Sequence, residues 1–388
     1  MIRIGVECEQ LEGERFGVGH TLAQLLDAAM QVQNIEKEYR FVLYFKAEIP
    51  NDAFLEHPLF EKRILTGGII PKSFNVFYHI LLPMRYFADR LDCFFFPSYM
   101  LPAFFIGKAI VVLTNDVYWE AHHGTLPFKY RLAYRLFCWW AAKRARKIMT
   151  ISQVAADELK TFYAIPDARL VVNSWGLEAI FKKMGKTDEY AQAVAVLKKQ
   201  LGVEYNFFIS VGQAFPRRHV KEAIEAFGRV AARYPRIQYL VACTDKYPTP
   251  VLAPLIERIN HDAGRNAIVQ TRYIARKDLP FLLNETLAMV YVSDTEALGL
   301  PPLETLACGR PSVITDTPLA HELFGDEGFF VTNTNDPDDI AQQLLAVAEN
   351  GDAVSRVVQA QEKRLSRFSW QTHMSTFLSL CNDVVHSR

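Results

Sequence analysis

The stretch Ser293–Glu304, which reads SDTEALGLPPLE, decides how this sequence is expected to fold. It follows an apolar run, Ala288–Val292, that is typical of a buried parallel strand, and it leads into a helix predicted over Pro302–Ala307. A strand, a glycine turn and a helix in this order form the first part of a βαβ unit. Ligands of open α/β sheets bind beyond the carboxyl ends of such strands, so the stretch predicts both a fold and a binding site.

The same alternation of apolar runs and amphipathic helical stretches extends over the whole chain. A polar stretch with several lysines, around Gly176 to Tyr190, interrupts it, and we place a domain boundary between residues 182 and 183. The expected fold class is therefore α/β, with two Rossmann-like domains that each contain a parallel sheet. The predicted strands are Ile2–Val6, Arg40–Phe45, Asp92–Phe96, Ala109–Thr114, Lys147–Ile151, Arg169–Asn173, Phe207–Val211, Gln238–Ala242, Ala267–Thr271, Ala288–Val292, Ser312–Thr315 and Phe329–Val331.

Composition narrows the class of protein. Lys plus Arg and Asp plus Glu both number 43, and a net charge of zero argues against general nucleic-acid binding. None of the six cysteines forms a Cys-x2-Cys pair, so we expect reduced thiols in a cytoplasmic protein, without a zinc site or a disulfide framework. Acidic residues follow the first apolar run at once, which is not typical of a signal peptide. Prolines and Lys108 interrupt the most apolar stretch, Cys93–Thr114, which therefore predicts two strands rather than a membrane span.

Glu296 and Glu304 are the candidate binding residues of the opening stretch. A tight turn at Gly299 before a helix exposes backbone N–H groups that can bind phosphate oxygens. Glu304 stands about one turn into the helix, where a carboxylate can accept hydrogen bonds from both ribose hydroxyls, and Glu296 precedes the turn at the sheet edge. Compensation of the helix dipole is the alternative for either residue alone, and the pair on this frame favours a site.

The stretch resembles the E-x7-E signature of the retaining glycosyltransferases of family 4, which have the GT-B fold. The family form reads roughly EGFGLPxxEAMAxGxPVV, and this chain reads EALGLPPLETLACGRPSV. It departs from the family form at Ala297, Leu298, Thr305, Leu306 and Ser312. Ala297 replaces a glycine, and alanine would stiffen the turn. The matching residues are Glu296, Gly299, Leu300, Pro301, Glu304, Ala307, Gly309, Pro311 and Val313.

The resemblance implies two Rossmann-like domains that face a cleft, with the donor held mainly by residues 183–366. It also implies that the C-terminal helix, within residues 367–388, crosses back to complete the first domain, residues 1–182. The substrate-binding residues it implies are Gly17, Val18, Gly19, Gly212, Gln213, Arg217, Tyr273, Ala297, Leu298, Gly299, Leu300, Pro301 and Glu304. The first three resemble the family's amino-terminal glycine loop, and Tyr273 opens the segment 273–276, a candidate for the base pocket after a predicted strand. The implied catalytic residues are Glu296, Arg218, Asn115 and Asp116.

A second segment supports the same resemblance. Gly212 and Gln213 follow the predicted strand Phe207–Val211, and Pro216-Arg217-Arg218-His219 comes after them. Cations in a loop after a strand suit a diphosphate, which Arg can bind through two hydrogen bonds. By resemblance Arg218 replaces the family's phosphate-binding lysine, and Gln213 stands where some members have an arginine. A solvated basic helix start is the alternative.

Three pairs of polar residues bear on whether the chain has a proton-transferring or a metal-binding site. Many family members have His-Asp where this chain has Asn115-Asp116, and an asparagine cannot transfer a proton. His122 and His123 are close in sequence, but we favour surface or loop histidines over a replacement. Asp336-Pro337-Asp338 reads as the acidic first turn of a helix, so no metal ligand is predicted there.

The stretch Lys129–Lys147 is basic, aromatic and helical in period. It suits two interpretations, which the sequence leaves open. Its aromatic face packs on the first sheet, which we favour, or it lies on anionic lipid with Trp and Arg at the interface. The aromatic segment Phe74–Phe87 adds to the second interpretation.

The expected function is transfer of a hexose, with mannose preferred, from a GDP- or UDP-linked sugar to a glycan or lipid-linked acceptor. No cofactor is expected beyond this co-substrate, and no nucleic acid is expected as a partner. The expected location is cytoplasmic or peripheral at the inner face of the membrane. A catalytically silent sugar-nucleotide-binding partner and a GT-B-fold epimerase are the alternatives.

Overall fold

The computed structural model of the chain describes residues 1–13, 15, 17–68, 70–124 and 126–387. The fold has two compact units, Met1–Gly176 together with Arg367–Arg388, and Leu177–Ser366. The boundary placed from the sequence at residue 182 lies a few residues beyond this division. Each unit contains one sheet in which the strand pairs are parallel, so the α/β fold class with two Rossmann-like domains is confirmed.

The sheet of the first unit has the strand order β3-β2-β1-β4-β5-β6-β7. Neighbouring side chains along its strands point to opposite faces, and both faces are buried: Phe95 packs on one side, and Phe94 and Phe96 pack on the other. The strands are β1 Ile2–Glu7, β2 Tyr39–Phe45, β3 Phe60–Ile64, β4 Cys93–Phe96, β5 Ala109–Val112, β6 Lys147–Thr150 and β7 Leu170–Val172.

Strand β3 is the strand of this sheet that the sequence reading missed. It lies at the edge, and its residues Glu61, Lys62 and Arg63 are polar and partly or fully exposed. An edge strand is covered on fewer sides than a central one, so its sequence lacks the continuous apolar run by which the other strands were found.

The sheet of the second unit has the strand order β10-β9-β8-β11-β12-β13. Its two longest strands pair in register from Asn206 with Ile237 to Ala214 with Asp245. The chain order reverses between β8 and β11, and such a switch point is where ligands bind in open α/β sheets. The strands are β8 Asn206–Ala214, β9 Ile237–Asp245, β10 Ile268–Thr271, β11 Met289–Tyr291, β12 Ser312–Thr315 and β13 Phe329–Val331.

The helices cover the sheets and begin where capping residues allow. Ser152 caps α7 and Thr187 caps α8, each side chain accepting a hydrogen bond from a backbone N–H of the first turn. In the first unit they are α1 Gly17–Met30, α2 Ile35–Glu38, α3 Phe74–Val76, α4 Leu82–Ala88, α5 Asn115–His123, α6 Phe128–Arg144 and α7 Gln153–Tyr163. A π-helical turn, Phe77–Leu81, joins α3 to α4.

The second unit contains α8 Asp188–Leu201, α9 Val220–Arg233, α10 Leu252–Ala263, α11 Leu279–Glu285, α12 Leu300–Ala307, α13 Pro318–Phe324, α14 Pro337–Glu349 and α15 Gly351–Glu362. The last helix, α16 Trp370–His386, returns to the first unit, where Phe377 packs edge-on against Phe95 with ring centroids 4.8 Å apart. Burial of seven apolar α16 side chains explains why this segment belongs there: Trp370, Met374, Phe377, Leu378, Leu380, Cys381 and Val384.

Two local expectations change. Gly17, Val18 and Gly19 were expected in a loop, and they form the first turn of α1. Helix α12 begins at Leu300 rather than at Pro302, because the left-handed backbone of Gly299 (φ 76°) turns the chain directly into the helix.

Candidate functional site

The candidate site lies at the switch point of the second sheet, where the segments after β8 and β11 meet. Gly212, near the end of β8, has a positive φ of 115°. A Cβ at this position would stand 3.3 Å from Nη1 of Arg218, so glycine leaves room for that guanidinium. The segment then passes through Gln213 into a 3-10 turn, Pro216–Arg218, which carries both arginines predicted to bind phosphate.

Glu296 accepts hydrogen bonds from both of these arginines. Its Oε1 lies 2.9 Å from Nε of Arg218 and 3.0 Å from Nη1 of Arg217, and its Oε2 lies 3.3 Å from Nη2 of Arg218. The hydroxyl of Ser293 donates to the same Oε1 at 3.1 Å. The structure thus brings together three residues that the sequence analysis had singled out from two separate segments.

The charges of this cluster are mutually stabilised. Burial raises the pKa of Glu296 while Arg218 and Arg217 lower it, and the pKa ends below its ordinary value. Burial opposes the charge on Arg218, but Tyr291 and Glu296 favour it, and its pKa is raised. The guanidinium of Arg218 also lies over the ring of Tyr291, 5.3 Å from the centroid. Glu296 is therefore ionised at neutral pH.

His219 and Asp294, which the sequence analysis did not select, join the two segments. Nε2 of His219 lies 2.7 Å from Oδ1 of Asp294, and the Thr334 hydroxyl donates to that same oxygen at 3.0 Å. Burial lowers the pKa of His219, but the hydrogen bond to Asp294 and the negative charge of Glu222, whose Oε2 lies 3.6 Å from Nδ1, raise it to about 9. The imidazole is therefore protonated at neutral pH. The sequence signal for this pair was position: His219 directly follows Arg218, and Asp294 stands two residues before Glu296.

Backbone hydrogen bonds complete the connection. The amide of Asp294 donates to the carbonyl of Arg217 at 2.9 Å, and Nη1 of Arg217 donates to the carbonyl of Thr295 at 2.6 Å. His219 itself has a left-handed φ of 41° at the start of α9. The arginine segment and the Glu296 segment are therefore held as one unit rather than as two independent loops.

The turn before α12 places amide donors next to this cluster. Pro301 and Pro302 have no N–H, so the free donors at this helix start come from Gly299 and Leu300. Ala297 and Leu298 are buried, and Ala297 has no positive φ, so alanine fits here without the strain that the family's glycine suggested. The region before α12 thus anchors the turn by packing.

Glu304 is buried, with 2% of its surface exposed, and pairs with Arg276. Nη2 of Arg276 lies 2.5 Å from Oε1 of Glu304 and 2.7 Å from Oε1 of Glu178. Burial raises the pKa of Glu304, Arg276 opposes this effect, and the net pKa is raised. The Arg276 guanidinium lies over the ring of Phe181, 4.4 Å from its centroid.

Tyr273, the predicted base-pocket residue, is 75% exposed. Arg276, only three residues further along, is the residue of this segment that contacts the predicted ribose-binding carboxylate. From the sequence, the aromatic residue of the segment 273–276 was predicted to bind substrate, and Arg276 was not. The signal that distinguishes the two is charge: a buried carboxylate needs a cation, and Arg276 supplies it.

The predicted residues of the first unit have structural contacts of their own. Asn115 is the first residue of α5, is 4% exposed, and donates through Nδ2 to Oε2 of Glu158 on α7 at 2.9 Å. Oδ1 of Asn115 and Oδ1 of Asp116 are buried, without a hydrogen-bond partner in the described part of the chain. At the start of α1, a Cβ on Gly19 would clash with the carbonyl of Gln10, whereas Gly17 faces open space.

The histidine pair and the aspartate pair discussed above both lie at helices. His122 and His123 lie in the last turn of α5 rather than in a loop, and Nδ1 of His122 contacts the carbonyl of Tyr118 at 2.9 Å. Asp336 caps α14 and Asp338 pairs with Arg229 at 2.6 Å. Across residues 1–13, 15, 17–68, 70–124 and 126–387, no three His, Cys, Asp or Glu side chains are grouped as a metal site would require.

Comparison with known families and proteins agrees with this geometry. The sequence profile of the family described as Glycosyl transferases group 1 matches residues 196–364, which include the whole cluster around Glu296. The O-antigen chain mannosyltransferase B of Escherichia coli is 26% identical over 237 residues, 58% of each chain. The O-antigen chain mannosyltransferase RfbU of Salmonella typhimurium is 21% identical over 240 residues, 60% of this chain and 62% of that protein. The chain thus matches less than two thirds of the length of either relative.

Solved structures show the same fold over the whole chain. Anabaena Alr3699/HepE in complex with UDP has a TM-score of 0.71 at 15% identity, covering 99% of this chain and all of that one. WaaG, described as a glycosyltransferase involved in lipopolysaccharide biosynthesis, also has a TM-score of 0.71, at 14% identity and full coverage of both chains. The fold is therefore that of the GT-B glycosyltransferases.

Proposed function

We propose that this chain, whose residues 196–364 match the family described as Glycosyl transferases group 1, is a glycosyltransferase that transfers a hexose from a nucleotide-diphosphate sugar to a glycan or lipid-linked acceptor. Mannose is the proposed sugar, because the two O-antigen relatives are named mannosyltransferases. GDP and UDP are the proposed carriers, and the proposed location is cytoplasmic. The observation that carries the proposal is the meeting of Glu296, Arg218 and the Gly299 turn at one sheet edge.

Cleavage of the donor bond places negative charge on the leaving diphosphate, and preorganised donors at that position lower the barrier. Arg218 donates to Glu296 through Nε and Nη2 and to the carbonyl of Gln213 through Nη1 at 3.5 Å. A guanidinium has five N–H groups, so donors on both Nη atoms remain for phosphate oxygens. The Gly299 and Leu300 amides would add two more donors from the helix start.

The sugar ring acquires positive charge as the leaving group departs, and an ionised carboxylate stabilises it. Glu296 meets that requirement, because its pKa lies below its ordinary value. Its position between two arginines and Ser293 fixes the carboxylate for contact with sugar hydroxyls. Retention of anomeric configuration is proposed from the resemblance of the Glu296–Glu304 stretch to family 4.

A ligand screen followed by a transfer assay tests the proposed function. A nucleotide sugar at 100 times its dissociation constant should stabilise the fold by about 2.7 kcal/mol, which a thermal-shift measurement detects. GDP-mannose and UDP-hexoses should be compared with the free nucleosides, and the stabilising donor is then supplied with glycan acceptors. Binding without turnover would instead indicate a silent partner, and interconversion of the sugar without transfer would indicate an epimerase.

We also expect transfer without an obligatory divalent metal, because Arg218 and backbone amides would neutralise the diphosphate. The rate with the stabilising donor should be largely the same in excess EDTA as in its absence. Complete loss of transfer that manganese restores would contradict this expectation.

A further inference from the structure

Helix α6 exposes apolar side chains on the face that points to solvent. Phe128, Leu132, Leu136 and Trp139 are 71%, 41%, 57% and 52% exposed. Their spacing of four, four and three residues places them on one side of the helix, and we call these four residues the apolar stripe. Only Cys138, Ala141 and Ala142 of α6 are buried. The expectation that its aromatic face packs on the sheet holds for Trp140, which packs against that core, and is wrong for the stripe.

Further exposed apolar side chains belong to segments that contact α6. The ring of His79 stacks on Phe137 of α6 at 5.6 Å between centroids, and its Nδ1 accepts a hydrogen bond from the amide of Ala103 at 3.2 Å. The indole N–H of Trp140 donates to the carbonyl of Pro102 at 3.3 Å. Side chains beside these contacts in sequence are also exposed, namely Ile80 at 48% and Phe104 at 73%.

Helix α6 and the segments of His79 and Pro102 carry charge of one sign, whereas α5, which also packs on α6, contains Asp116 and Glu120. Residues 64–88, 93–114 and 126–156 contain ten Lys and Arg residues and no Asp or Glu, in a chain whose formal net charge is zero. Lys129 and Lys143 lie on α6 within the exposed part of the helix. Large exposed apolar side chains beside cations are complementary to a lipid bilayer, which has an apolar interior and can carry negatively charged head groups.

We propose that the apolar stripe and the cations around it form a docking surface for a lipid bilayer that carries anionic head groups. Trp139 suits such an interface because its ring is both apolar and able to donate a hydrogen bond. In the described part of the chain no helix is both long and apolar enough to cross a membrane. The surface would therefore bind at the head-group level, with the stripe inserted among the acyl chain ends. This proposal does not rest on the proposed reaction.

Sedimentation of the full chain with lipid vesicles tests the proposal. Vesicles of phosphatidylcholine alone are compared with vesicles that also contain phosphatidylglycerol, without donor or acceptor. The parent should sediment with the anionic vesicles, and Leu136→Glu should lower its partition coefficient at least about tenfold, since it adds a negative charge to the stripe. Trp139→Ala should weaken binding without any change in charge.

Val196→Glu is the matched control, because Val196 is 50% exposed on α8 of the second unit. It should bind vesicles as the parent does, and circular dichroism should show that all three variants fold. Failure of the parent to prefer anionic vesicles would overturn the proposal, as would undiminished binding by Leu136→Glu. Light scattering adds a last outcome: a dimer that Leu136→Glu dissociates, with vesicle binding unchanged, would make the stripe a contact between copies instead.

Discussion

At the scale of single residues, the carboxylates of Glu296 and Glu304 lie in different electrostatic surroundings. Glu296 binds two arginines that have further N–H groups, and the proposed function places the reacting bond of the donor at this cluster. Glu304 is buried against Arg276, which it shares with Glu178. Burial and a single shared cation suit a binding residue whose contacts stay the same throughout a reaction, so the two glutamates should differ in kinetics.

Replacement of each glutamate by glutamine separates these roles. Glu304→Gln should raise KM and weaken binding of the free nucleoside diphosphate roughly ten- to a hundredfold, because a hydrogen bond to a charged group contributes about 1.5–3 kcal/mol. Glu296→Gln should leave that binding unchanged or tighter, since both arginines lose their counter-charge. Its kcat should fall at least about tenfold, the equivalent of roughly 1.4 kcal/mol.

Calorimetry with the nucleoside diphosphate and steady-state kinetics measure the two effects. Glu257→Gln, at an exposed position of α10, is the control and should change neither quantity. If Glu296→Gln weakens nucleotide binding as much as Glu304→Gln does while kcat stays the same, the assignment of roles is wrong.

His219 predicts a pH dependence of stability. Its folded-state pKa of about 9 lies above the ordinary value of 6.5, so the stabilisation is complete below about pH 6.5 and is lost as pH rises through about 9. The size is on the order of 1–3 kcal/mol, and the partial exposure of Asp294 favours the lower end. Urea unfolding from pH 6 to 10 should show this decline in the parent and a flatter profile in His219→Gln.

His261→Gln serves as the comparison for that experiment, because the side chain of His261 is 90% exposed. It should show the same decline as the parent. A His219→Gln profile that falls as steeply as the parent's would mean that the His219–Asp294 pair is not the source of the pH dependence.

At the scale of secondary-structure elements, the start of α12 depends on one backbone angle. Gly299 has a φ of 76°, and the nearest atom to a Cβ built there is 3.8 Å away, on Tyr291. An added methyl group would therefore meet no clash, and the cost of alanine would be conformational alone. That cost is roughly 1–2 kcal/mol for a left-handed residue with a side chain.

Gly299→Ala should accordingly lower the free energy of unfolding by roughly 1–2 kcal/mol in urea titrations. Gly185→Ala is the matched change, since a Cβ at Gly185 has nothing within 4 Å and its φ is not positive. It should be neutral or slightly stabilising. Equal effects of the two substitutions would show that the left-handed turn does not control the start of the helix.

At the scale of the whole molecule, the course of the chain between the two units determines which segments complete each core. The chain leaves the first unit at Gly176, forms the second, and returns at Arg367 so that α16 completes the first core. Stability of the first sheet therefore depends on residues about 280 positions away in sequence, such as Phe377 against Phe95. Damage to α16 should weaken the first unit and spare the second.

Phe377→Ala tests this dependence, with Phe227→Ala in the core of the second unit as its counterpart. Both rings are fully buried, and either truncation should cost about 3–5 kcal/mol. Hydrogen exchange should rise in β4 for Phe377→Ala and in β8 for Phe227→Ala. Faster exchange of β8 in Phe377→Ala would contradict the assignment of α16 to the first core.

Much of the fold was readable from local sequence. Nearly continuous apolar runs identified central strands such as Phe207–Val211, because a parallel strand covered on both faces buries most of its side chains. The polar edge strand β3 gave no such signal. In the candidate site, Glu296 and Arg218 were found because each follows a strand, and the carboxyl ends of parallel strands share one edge.

The sequence by itself determined the alternation of strands and helices, the glycine turn before α12 and the polar residues at strand ends. Tertiary structure alone decided which of these residues touch: His219 with Asp294, Arg276 with Glu304, and two arginines with one glutamate. It also decided that the apolar stripe of α6 faces solvent rather than the sheet. The physical reason is that periodicity specifies which residues share a face, whereas the partner of that face depends on where distant segments pack.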